Sequence, residues 1–174
     1  TAWDGKSWKA QKRFAGGGVL IDLGVQMLDL ALWILGMPEV ATVSASTTTR
    51  PGVDEVESNA AAFIRMKSGC TLTLEVGWSL LMEKDFAYLN LFGDHGAALL
   101  NPLRLHREMH GNLVNVTPAT ESVRNMYKQS YENEIAHFVD CVRSGKKPSS
   151  PGDEAAAVLR VLEAVYKSAE TGRE

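Results

Sequence analysis

Residues 16–36 read GGGVLIDLGVQMLDLALWILG: three glycines, then an almost unbroken apolar run carrying two carboxylates and an amide. The run is long enough to be tested as a membrane span. Asp22 and Asp29 would each cost about 3 kcal/mol to insert, and Gln26 adds to that, so a buried helix of a soluble protein over residues 18–35 is the better reading. Gly36 and then Pro38 stop it. On a wheel turning about 100° per residue with Asp22 at zero, Gln26 falls at about 40°, Asp29 at about −20° and Trp33 at about 20°. Apolar side chains cover almost everything else, so the helix is expected to be buried nearly all round. A polar stripe on such a helix must be satisfied. Either its carboxylates cap loops or pair with cations inside the domain, or the stripe lines a polar cleft. Three polar groups aligned over two turns point to the cleft.

The glycines suggest a nucleotide loop, but the dinucleotide fingerprint needs glycine at the first, third and sixth positions after a strand. Counting from Gly16, the sixth position is Ile21, and no strand precedes it. The remaining reading is steric: without Cβ atoms, another backbone or a flat ligand can approach the helix start. The amides there also favour an anionic group.

Beyond Gly36 come strand-like runs separated by turn signals. They cover Glu39–Thr49, Val56–Met66, Cys70–Leu80 and Asp85–Phe92, then shorter runs near Ala97–Leu100, Leu103–Arg107 and Leu113–Thr117. TLTLEVGW alternates Leu72, Leu74, Val76 and Trp78 against Thr71, Thr73 and Glu75, and the Lys67-Ser68-Gly69 turn predicts a hairpin with the run before it. From Tyr127, apolar residues recur at helical spacing up to Gly145. A last helix follows Ser150 and Pro151, with Leu159, Leu162, Tyr166 and Ala169 on its inner face. The fold class expected is α+β: a largely antiparallel open sheet of about six to seven strands with helices packed on one face. At 174 residues, a single domain with a real core fits.

A net charge of −3 with no basic cluster argues against nucleic acid as a partner. No membrane partner is expected, and the N-terminus TAWDGKSWKAQKR has no apolar core of a signal peptide, which points to a cytoplasmic protein. The chain starts without Met, which suggests an excised domain. Cys70 and Cys141 read as reduced thiols packed as small hydrophobes. His106 and His110 lack a cysteine or carboxylate cluster, so no metal site is expected. Ser79 and Ser130 have no triad-like setting. Trp3 and Trp8 either anchor the N-terminal segment or stack on a ligand near the glycines.

These residues resemble the C-terminal domain of the glucose–fructose oxidoreductase / inositol dehydrogenase / rhizopine-catabolism (Gfo/Idh/MocA) family. Its motif reads roughly GGG-x-L-x-D-x-G-x-H-x-x-D before an apolar helix ending L-x-G. Gly16, Gly17, Gly18, Leu20, Asp22, Gly24, Asp29, Leu35 and Gly36 stand in those places. Later matches keep the order: Glu75, Val76 and Trp78; Gly93 and Gly96; Glu134, Phe138, Val139 and Asp140; and a terminal Ser168 to Arg173. The resemblance implies a substrate-binding and oligomerisation domain whose partner, an N-terminal Rossmann domain binding NAD or NADP, is absent from residues 1–174. It implies hydride transfer between a sugar, cyclitol or similar polyol and the nicotinamide, with Asp22 and Gln26 beside the reacting group. The residue matching Asp29 would contact substrate hydroxyls. Apart from the resemblance, Trp78 at its strand end is expected to border the cleft and contact substrate, and Gly16, Gly17 and Trp8 at the helix start are expected to lie against the cofactor. An open sheet face carrying apolar and aromatic residues would build a homodimer or homotetramer. This segment alone would be inactive. Gln26 stands where the family has histidine, and glutamine cannot titrate. The alternative is therefore a catalytically lapsed member acting as a binding or assembly module.

Overall fold

Alternation in the middle of the chain builds the first sheet. In the computed structural model, which describes residues 8–78, 80, 83–119 and 126–174, strands β1 (Val40–Thr48), β2 (Asn59–Met66) and β3 (Thr71–Gly77) pair antiparallel in the order β1-β2-β3. The β2–β3 hairpin has the expected turn, with the Met66 amide donating to the Cys70 carbonyl. Its register sets Ala62 opposite Leu74 and Ile64 opposite Leu72. Side chains alternate across the pleat, so Ala60, Ala62, Ile64, Met66 and Leu74 point into the core while Phe63 and Arg65 face outward.

The inner face of this sheet is closed by two helices. The glycine-led segment begins as a π turn, Leu20–Gly24, and continues as α2, Val25–Ile34, after a short α1, Lys12–Ala15. Leu20, Leu28 and Leu32 from this segment share a core with Val158, Leu162 and Val165 of α4, Gly152–Thr171. α2 ends as its sequence predicts. Gly36 is left-handed, its amide donates to the Trp33 carbonyl, and the Met37 amide donates to the Leu32 carbonyl. α4 also reaches the free edge of β1, where the buried Ser168 hydroxyl accepts the Ala45 amide at 3.0 Å.

Three expectations need correction. The glycine-led helix is not buried all round: Ile21, Leu23, Trp33 and Ile34 are exposed, because only one of its faces meets the sheet and α4. By length and composition the stretch Lys12–Ile34 could span a membrane, yet Leu20 and Leu28 are fully buried against strands and α4. On α4 the inner face is centred on Val158, Leu162 and Val165, and Leu159, one residue round from Val158, is exposed. Of the two free cysteines, Cys141 is buried but Cys70, just past the hairpin turn, is exposed.

The seven strands divide between two sheets. The chain forms two compact units, Thr1–Glu83 with Gly152–Glu174, and Lys84–Pro151. The second contains β4 (Leu89–Gly93), β5 (Gly96–Leu100), β6 (Arg104–Met109) and β7 (Asn112–Asn115), an antiparallel meander in sequence order, together with α3 (Met126–Ser144). Its register puts Leu91, Ala98 and Leu105 in one cross-strand row and Phe92, Ala97 and His106 in the next, on opposite faces. Phe92 and Leu113 are among its most exposed apolar side chains. On α3 only Cys141 is buried, and the recurring apolar positions Tyr127, Ile135 and Phe138 are exposed.

Candidate functional site

Asp22 lies in the π turn, a rare geometry found mostly as single turns and frequently at functional sites. Its carboxylate is held at both oxygens by donors from two other elements. Lys9, on a one-turn 3-10 helix at Trp8–Ala10, donates from Nζ to Oδ1 at 2.5 Å. Trp78, just past the end of β3, donates from Nε1 to Oδ2 at 3.0 Å. The side chain keeps 23% of its surface accessible, so it is pinned without being sealed. Each carboxylate oxygen has two lone pairs, which leaves acceptor capacity for a third partner.

Gln26 is exposed, and its amide folds back to donate to the Asp22 backbone carbonyl at 2.7 Å. It satisfies the helix backbone and does not join the carboxylate. Asp29 is exposed on α2, two turns past Asp22. A turn closed by i→i+5 bonds advances less per residue than an α-helix, so the stripe drawn on an ideal wheel is skewed between Asp22 and the α2 residues. The structure thus brings Asp22 and Trp78 together directly, ties Gln26 to the backbone of Asp22, and sets Asp29 further along the same helix.

The three glycines have a steric explanation. Glu57, ahead of β2, sends its Oε1 onto the helix start, where it accepts the amides of Gly18 at 2.8 Å and Leu20 at 3.1 Å and the Tyr166 hydroxyl at 2.7 Å. A Cβ on Gly17 would sit 2.3 Å from that hydroxyl, and one on Gly18 would sit 2.0 Å from the Glu57 carbonyl oxygen. The anion favoured by the helix N-terminus is therefore a carboxylate of the chain itself. The Gly18 and Leu20 amides are taken, so this turn does not form a phosphate cradle. Gly17 is buried in this packing, while Gly16 is exposed at the end of α1.

Burial first, and then the hydrogen bond to Glu57, push the Tyr166 hydroxyl above the ordinary tyrosine range. A raised folded-state pKa makes the stabilisation complete below the unfolded pKa of about 10 and lost as pH climbs beyond it. Thermal melts between about pH 9 and 11.5 should show the wild type losing stability more steeply than Tyr166→Phe. Parallel slopes would refute the role given to this hydroxyl.

Trp8 is 60% exposed, so it presents a ring to solvent and is not a hydrophobic anchor. Trp3 and Ser79 lie outside the described residues. Among the described residues no group of three or more His, Cys, Asp or Glu gathers as a metal site. His106 is a strand residue of β6 and His110 sits in the turn to β7. Sequence reasoning missed Lys9, Glu57 and Tyr166. Lys9 is separated from Asp22 by 13 positions and Tyr166 from Glu57 by 109. Only the demand of a near-buried carboxylate for donors pointed to such partners, without naming them.

The whole chain, residues 1–174, matches the family model described as the oxidoreductase family, C-terminal alpha/beta domain. Among curated proteins it is similar to D-glucoside 3-dehydrogenase of Escherichia coli (strain K12), with 27% identity covering 92% of this chain and 49% of that protein. It is similar also to scyllo-inositol 2-dehydrogenase (NAD(+)) of Bacillus subtilis (strain 168), with 25% identity covering 90% of this chain and 46% of that protein. Among solved structures, aldose-aldose oxidoreductase from Caulobacter crescentus complexed with glycerol superimposes with a TM-score of 0.80 at 25% identity, covering 99% of this chain and 51% of that one. The chain thus spans about half the length of the relatives it matches.

Proposed function

Since the chain belongs to the Gfo/Idh/MocA oxidoreductase family, as its C-terminal alpha/beta domain, we propose that it supplies the substrate-binding and self-association half of an NAD(P)-dependent oxidoreductase. The substrate class is a sugar, cyclitol or similar polyol. One observation carries the reading: a part-exposed carboxylate, Asp22, pinned by an ammonium and an indole N–H at the start of the core helix. The names of the relatives support the substrate class, since both curated proteins are dehydrogenases of hydroxyl-rich rings.

The nicotinamide, when bound, supplies the hydride acceptor. Its phosphates do not fit the occupied helix start of this chain, and the half of the relatives that this chain does not cover is where they would be held. Gly16 and Trp8 remain as exposed surface against which the cofactor would lie. Asp22 accepts a hydrogen bond from a substrate hydroxyl through its remaining lone pairs and fixes the reacting carbon. Gln26, with its N–H on the backbone, keeps its amide oxygen as a second acceptor. Asp29 reaches hydroxyls further along the substrate, and the Trp78 ring covers an apolar sugar face. Proton transfer then falls to Asp22, to a group of the other half, or to water, because Gln26 does not titrate.

The test is an assay of the complete polypeptide with NAD+ and NADP+ on aldoses, inositols and glycosides, following reduced cofactor by absorbance. Turnover by the complete protein and none by the 174-residue segment are expected. A second reading, a lapsed member acting as a binding or assembly module, draws on the Gln26 amide being engaged with the backbone. Folded complete protein without turnover across the panel selects it. Self-association through an open sheet face predicts a mass above one chain in light scattering; a monomer at micromolar concentration counts against it.

A further inference from the structure

We propose that Lys9 is a positioning residue that acts on the substrate through Asp22; the proposal rests on the oxidoreductase reading and deepens it. A carboxylate on a helix turn rotates about its last side-chain bond unless both oxygens are engaged, because that torsion is broad. Here the two engagements come from opposite directions in the sequence. Lys9 stands 13 residues before Asp22 and takes Oδ1, and Trp78 stands 56 residues after it and takes Oδ2. Two donors on two oxygens fix the plane of the carboxylate as well as its place. The remaining lone pairs then point in set directions before any substrate arrives. Gln26 cannot do this, since its amide is committed to the Asp22 carbonyl.

Lys9 also brings charge. Its ammonium and the Asp22 carboxylate form a pair with side chains 38% and 23% accessible, wet enough to avoid the large penalty of a dry ion pair. Both bonds end on the ionised Asp22 carboxylate and are charge-assisted. Lys9 adds a full opposite charge that the neutral indole N–H of Trp78 lacks, which makes it the stronger of the two constraints. The consequence is separable in kinetics: loss of Lys9 loosens the acceptor geometry at the reacting hydroxyl while leaving the other substrate contacts in place.

In the complete enzyme, Lys9→Met should lower kcat about tenfold to a hundredfold with KM changed less than about threefold. Lys9→Arg, which keeps charge and donors, should recover most of kcat. In the same proteins, the Trp78 indole N–H resonance should move in Lys9→Met and stay put in Lys128→Met, a change in the other unit. Lys9→Met with unchanged kcat, with kcat and thermal stability falling together in both Lys9 variants, or with an unmoved indole resonance overturns the proposal. A wild-type enzyme without turnover counts against the oxidoreductase reading instead, and the resonance experiment still decides whether Lys9 holds the Asp22–Trp78 pair.

Discussion

Asp22→Asn in the complete enzyme should reduce kcat/KM by about a hundredfold or more while costing little stability. Asparagine keeps the volume of aspartate but replaces one acceptor oxygen by a donor N–H2. Lys9 and Trp78 both donate to this side chain, at opposite oxygens. Whichever way the amide turns, one donor faces another donor, so the side chain is pushed from its place. The site is part-exposed and water can relieve the mismatch, so the stability loss should stay near 1 kcal/mol, a shift of about 2–4 °C for a chain of this size. Steady-state kinetics and a melting curve on the same preparation check both halves. A folded variant with wild-type turnover would remove Asp22 from the reaction.

Gly18→Ala should be strongly destabilising, at about 2–4 kcal/mol and a fall of about 5–15 °C in melting temperature. The obstacle is backbone: the added methyl would meet the Glu57 carbonyl oxygen at 2.0 Å, and that oxygen also accepts the Val19 amide at 2.9 Å. Neither can move without parting the helix start from the segment that leads into β2. Gly17→Ala should cost less, since its obstacle is the tip of the Tyr166 side chain at 2.3 Å. Tyr166→Phe removes that oxygen and should recover part of the Gly17→Ala loss, leaving the next ring atom at 3.1 Å. The double-mutant cycle in thermal or urea unfolding measures the coupling. Full additivity would mean that the hydroxyl does not fill the space of the missing side chain.

The parts of this fold that were legible in the sequence are those governed by local period. The Thr71–Gly77 alternation and the Lys67-Ser68-Gly69 turn fixed β3, its inward residues and its hairpin partner, because register follows from pleat and turn together. The division of seven strands into two sheets was not legible. Period two says which face a residue takes and is silent on which strand lies beside it. The polar stripe was drawn on a geometry the helix keeps only in part. A constant 100° step held through α2 but not through the π turn at Leu20–Gly24, and burial all round assumed neighbours on every side. Asp22 was readable as a candidate site residue because two carboxylates in an apolar run demand an explanation. Lys9 was not, since a pairing across 13 positions exists only once a non-helical connection has folded. Glu57 and Tyr166 were hidden by the glycines themselves, which mark that something comes close without saying what.

The Ser168 hydroxyl has a meaning outside the folded unit. It accepts the Ala45 amide, a donor on the outer edge of β1, the border strand of its sheet. Border strands with bare amides are where sheets of separate molecules zip together into aggregates. One side-chain oxygen, 123 positions away in the chain, takes a donor that such zipping would use. A helix side chain thus blocks one position of a strand border at which another chain would otherwise pair.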